Sequence, residues 1–120
     1  MVIKDVRRCE QITGGDNSIL RELLNPLKED IAIRYSLAHA RVKPGEVTLA
    51  HRLKSAEVYY IIKGTGEMYV DQKRERISAG QAVYIPPGSI QKIQNTSGGD
   101  LIFLCIVDPA WKPEDEELVE

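Results

Sequence analysis

Residues 51–64 read HRLKSAEVYYIIKG, and the fold follows from reading them as strand. Val58, Tyr59, Tyr60, Ile61 and Ile62 are β-branched or aromatic types that suit a pleated, half-buried backbone. In a strand every second side chain shares a face, so His51 and Leu53 lie on one side, about 6.6 Å apart. Lys54 and Ser55 can turn the chain, after which Glu57 opens a second strand. If Glu57 points inward, so do Tyr59 and Ile61, and Val58, Tyr60 and Ile62 face out. Both faces are then apolar, which predicts that a partner subunit covers the outer one. His51 and Glu57 are thereby brought towards the same interior.

The runs around this stretch repeat its character. IAIRYSLAHARV, VTLAHRL, EVYYIIKG, GEMYVDQ, RERISAG, QAVYIPP, IQKIQN and LIFLCIVD are short and rich in Val, Ile and Tyr. KPGE, KGTGE, SAGQ, PPGS and TSGGD separate them as turn signals, with KGTG reading as a hairpin. Eight such runs without intervening helices predict an antiparallel sandwich or barrel. Upstream, VIKDVRRCEQIT alternates weakly and suits an edge strand, and GGDNS breaks the pattern. SILRELLNP then places Leu20, Leu23 and Leu24 at helical spacing, with Asp16 or Asn17 as cap and Pro26 as stop. One short N-terminal helix is expected there. The tail, DPAWKPEDEELVE, is expected to dock through Trp111 while its acids stay in solvent. The chain thus divides into an N-terminal extension (1–30), a β-barrel (31–108) and an acidic tail (109–120).

Composition narrows the function classes. At 120 residues there is room for one domain, and 42% hydrophobic with 28% charged residues fits a soluble globular chain. A net charge of −2 with scattered basic residues argues against nucleic acid as the main partner. No apolar run approaches the roughly 18 residues of a membrane span, so no membrane partner is expected. The first residues, MVIKDVRRCEQ, lack the apolar core of a signal peptide, and a cytoplasmic location is expected. Cys9 and Cys105 are the only cysteines and are read as structural.

The spacing of polar residues carries a resemblance. From Gly45 the chain gives five residues, His51, one residue, Leu53, three residues, Glu57, six residues and Gly64. Gly80 is followed by five residues, Pro86, one residue, Gly88, two residues, Gln91, three residues and Asn95. These stretches resemble the two sequence motifs of the cupin superfamily across about residues 35 to 107. The first motif has a second His where Leu53 stands, and the second has a His where Gln91 stands. The resemblance implies an all-β fold, a single-domain cupin jelly-roll barrel, commonly a homodimer. It implies metal ligands at His51 and Glu57 by identity and at Gln91 by substitution. Leu53 cannot ligate and becomes an apolar wall.

An imidazole, a carboxylate and an amide oxygen would suit Mn²⁺, Fe²⁺, Ni²⁺ or Zn²⁺. The expected function is that of a small-molecule cupin with a divalent metal, an oxidoreductase or isomerase acting on a small anionic substrate. The alternative is a metal-free binding or sensing module for a sugar or small acid, in which His51 and Glu57 bond each other. Tyr59 shares the face of Glu57 and is the candidate catalytic acid, base or hydrogen-bond donor. In YSLAHARV the resemblance implies that the face of Ser36, Ala38, Ala40 and Val42 lines the pocket, which puts His39 on the other side. A bulge would reverse that and make His39 a replacement ligand.

Overall fold

The structure is a computed structural model and describes residues 1–119. Eleven strands follow in chain order: β1 (Ile12–Thr13), β2 (Ile19–Leu24), β3 (Ser36–Val42), β4 (His51–Leu53), β5 (Ala56–Lys63), β6 (Thr65–Val70), β7 (Lys73–Ser78), β8 (Ala82–Ile85), β9 (Gln91–Asn95), β10 (Leu101–Asp108) and β11 (Glu116–Leu118). All pair antiparallel, in two sheets ordered β1-β2-β3-β10-β5-β8 and β11-β4-β9-β6-β7. The two sheets face each other as a jelly-roll barrel, the all-β fold expected from the sequence. No helix among the described residues is long and apolar enough to cross a membrane.

The N-terminal helix is not there. Residues 19–24 form β2, and among the described residues helix is confined to single 3-10 turns at Val6–Arg8 and Pro113–Asp115. β2 pairs with β3, Leu20 opposite Ala40 and Glu22 opposite Ala38, and then slips register so that Leu24 lies opposite Leu37. That irregularity accommodates leucines three and four residues apart in a strand, a spacing that otherwise reads as one face of a helix. Asp16 therefore caps no helix. Its Oδ1 accepts from the Ser18 amide (3.0 Å) and hydroxyl (2.6 Å), closing the β1–β2 turn in which Asn17 takes a φ of 72°.

KGTG is also not a hairpin. β5 and β6 lie in different sheets, and Gly64, at φ 95°, carries the chain across the corner between them. A side chain there would meet Asp100 and Leu101 backbone at 3.2 Å, so only glycine turns this corner freely.

Inward alternation fills one end of the barrel with Ala40, Val42, Ile61, Ile93, Leu101 and Phe103. Asn95 ties that end, donating to the Val42 and Gly99 carbonyls and accepting from Ser97. Towards the other end the inward positions become smaller or polar, Ser36 and Ala38 on β3, Glu57 on β5 and His51 on β4, and a cavity remains. Segments outside 31–108 help enclose it. β1 and β2 extend one sheet, β11 extends the other, and Trp111 is held by its amide on Ser36 Oγ (2.9 Å) and its carbonyl on Asn25 Nδ2 (3.0 Å).

Candidate functional site

Strand register brings the sequence-predicted residues together. His51 on β4 lies directly opposite Gln91 on β9, and both are buried. Glu57 and Tyr59 are successive inward residues of β5 in the facing sheet, also buried. The Gln91 amide spans the gap between sheets: Nε2 donates to Glu57 Oε1 at 2.9 Å, and Oε1 accepts from the Tyr59 hydroxyl at 2.9 Å. His51 and Glu57 do not bond each other; each is fixed by another partner.

The His51 ring is oriented by Nδ1, 3.1 Å from the Leu49 carbonyl. A carbonyl only accepts, so Nδ1 carries the proton, and in the neutral ring Nε2 is left with its lone pair. Nε2 makes no hydrogen bond among the described residues; the nearest acidic oxygen is Glu116 Oε1 at 4.0 Å. Across the ring, Asp16 Oδ2 stands 3.9 Å from Nδ1. Glu57 likewise uses only Oε1, and Oε2 has no hydrogen-bond partner among the described residues. Burial pushes the Glu57 carboxyl up to about 8, against the opposing effect of the Gln91 bond, with the charges of Asp16 and Glu116 raising it further. Burial also raises Glu116, with His51 opposing, and raises the Tyr59 hydroxyl well above its ordinary value.

His51, Leu53, Glu57 and Tyr59 all line the cavity, which holds about 130 Å³; Gln91 sits behind its wall. Asp16 and Glu116 line it as well, and neither was expected to. Asp16 comes from the β1–β2 turn. Glu116 comes from β11, where pairing with Leu53 turns it inward while Glu117 faces Arg52. The expectation that the tail acids remain in solvent thus fails at Glu116. The weak signal for both was their setting: a Gly-Gly-Asp-Asn turn and an alternating EEL beyond a tryptophan. His39 lies outside, in a groove with Arg21 and Arg41, where burial lowers its basicity.

The donor set does not fit a divalent ion shared by His51, Glu57 and Gln91. The Gln91 oxygen already accepts from Tyr59 and its nitrogen already donates to Glu57, so the amide is engaged on both ends and an ion would have to share its oxygen with the Tyr59 hydroxyl. Leu53 fills the neighbouring inward position. Among the described residues no three His, Cys, Asp or Glu side chains stand close enough to hold one ion.

Comparison with known proteins agrees with the barrel. The sequence pattern of the cupin domain matches residues 38–107. An uncharacterized protein of Methanocaldococcus jannaschii is 40% identical over 88% of this chain and 84% of its own. The oxalate-binding protein of Thermotoga maritima is 28% identical over 83% of this chain and 84% of its own. The polyketide cyclase RemF of Streptomyces resistomycificus superposes with a TM-score of 0.82 at 19% identity, over 100% of this chain and 86% of that one, a likeness of fold. Sequence motifs, sheet order and family match converge: the chain belongs to the cupin domain family.

Proposed function

We propose that this cupin takes a small organic molecule into the barrel cavity and holds it between His51 Nε2 and Glu57 Oε2. One observation carries the reading. Two buried side chains, 3% and 5% exposed, each keep one polar atom without a hydrogen-bond partner among the described residues, and both line the same cavity. Neither atom is itself sealed from the cavity, so each is open to a bound molecule, and polar atoms inside a fold are ordinarily matched by protein, water or ligand. The Thermotoga relative, named for binding oxalate, supports a binding role for the barrel.

The same pair suits proton transfer. His51 Nε2 can accept a proton from a bound molecule and Glu57 can return one at another atom, the requirement of an isomerisation. Tyr59 is then a positioning residue, its hydroxyl committed to Gln91 and acting on Glu57 through that amide. An oxidative reaction built on an ion shared by His51, Glu57 and Gln91 has no such support from their hydrogen bonds. The homodimer belongs to this reading too: Tyr60, Ile62 and Tyr84 are exposed on the outer face of β5 and β8, and a second copy would bury them.

The test is a small-molecule thermal-shift screen on chelator-treated protein. At least one compound should raise the melting temperature of the wild type and lose that effect in folded His51→Gln and Glu57→Gln variants. Stabilisation unaffected by both substitutions would place binding elsewhere and overturn the reading.

A further inference from the structure

We infer that the molecule this cavity accepts is a small organic ammonium, a compound carrying at least one protonated amine. The inference rests on the proposed cavity reading and adds the chemical class. The wall carries Asp16, Glu57 and Glu116, which have one imidazole, His51, between them. Among the described residues no lysine or arginine lines the space. A fourth acid, Glu22, is already matched by Lys28 at 2.8 Å. Asp16 and Glu116 reach His51 only at 3.9 and 4.0 Å, beyond hydrogen-bond length.

The acids are built into place. Asp16 is fixed by its two bonds from Ser18. Glu116 reaches inward over Gly15, where a Cβ would stand 2.8 Å from its Oε2, so any larger residue would push that carboxylate away. Glu57 is buried and lines the same space, and its Oε2 makes no hydrogen bond among the described residues. The carboxyls come from three segments, a turn, β5 and β11, and among the described residues no three His, Cys, Asp or Glu side chains close on one point. A single metal ion would need such a point. An organic cation with several N–H donors on a short carbon chain would not. Tyr59, Phe103 and Trp111 supply aromatic wall, which favours cations and their carbon chains together. A dianion such as oxalate would meet the Asp16 and Glu116 carboxyls with no lysine or arginine among the described lining residues to offset them.

Isothermal calorimetry on chelator-treated protein at low ionic strength, with three probes of matched length, tests this. The probes are 1,4-diaminobutane, butane-1,4-diol and succinate. The diamine should bind at least about tenfold more tightly than the diol or succinate. Asp16→Asn and Glu116→Gln, both isosteric, should each weaken the diamine, and together by about tenfold or more, with melting temperatures showing the variants folded. Equal or tighter binding of succinate or the diol overturns the ammonium class while leaving the cavity reading in place. Diamine binding unchanged in the double variant also overturns the class, since the carboxylates then play no part. If none of the three binds, the ammonium inference fails, and the cavity reading itself is called into question.

Discussion

Gln91 on β9 donates its amide to Glu57 on β5 at 2.9 Å, and this bond crosses from one sheet to the other inside the barrel. The same amide accepts from Tyr59, so one neutral side chain satisfies two groups that burial would otherwise penalise. Its consequence is chemical as well as structural. Glu57 is tethered through Oε1 while lining the cavity, and the Gln91 amide is engaged on both ends.

Removing the bridge should therefore cost more than one hydrogen bond. Gln91→Leu keeps most of the volume but leaves Glu57 Oε1 and the Tyr59 hydroxyl buried without partners. We expect a loss of about 2–4 kcal/mol in urea unfolding at pH 6. A loss below about 1 kcal/mol would mean that the two groups find other partners readily.

Glu57 also predicts how stability varies with pH. Its folded value, about 8, lies above its ordinary 4.5, so the native state holds the proton more firmly than the unfolded chain. The favourable contribution is complete below about pH 4.5 and is lost as pH rises towards 8. For so buried a group the loss is on the order of 3–5 kcal/mol. Glu57→Gln cannot ionise and should match the wild type near pH 5 while melting well above it at pH 8. Parallel melting curves for the two proteins across that range would contradict the burial account.

The outer face of β5 and β8 should be an interface between two copies. Tyr60, Ile62 and Tyr84 are exposed there beside half-buried Val58, Leu104 and Ile106. Light scattering should give twice the chain mass for the wild type and the single-chain mass for Tyr60→Lys combined with Ile62→Lys. A wild type that is monomeric at high micromolar concentration would remove this reading.

Much of this was legible in the sequence because strand alternation and turn chemistry are local. The spacing of His51, Glu57 and Gln91 places all three inside the barrel, and PPG at 86–88 marks the bend before Gln91, where Gly88 takes a positive φ. What was not legible depended on long-range pairing. β2 carries helical leucine spacing and becomes a strand because β3 offers its edge. Asp16 and Glu116 enter the cavity only because a turn and a terminal strand close over it, and neither position lies within the matched family pattern. The direction of Gln91's bonds needed Tyr59 in place, since an amide's two ends cannot be assigned from spacing.

The central claim is that the cavity works through its own side chains, with Gln91 locked to Glu57 and Tyr59 in place of a third ligand. The most direct measurement is the divalent-metal content of purified, untagged protein by elemental mass spectrometry, for wild type and His51→Ala. The account predicts no stoichiometric ion that depends on His51. About one Mn²⁺, Fe²⁺, Ni²⁺ or Zn²⁺ per chain in the wild type, lost in His51→Ala, would contradict it.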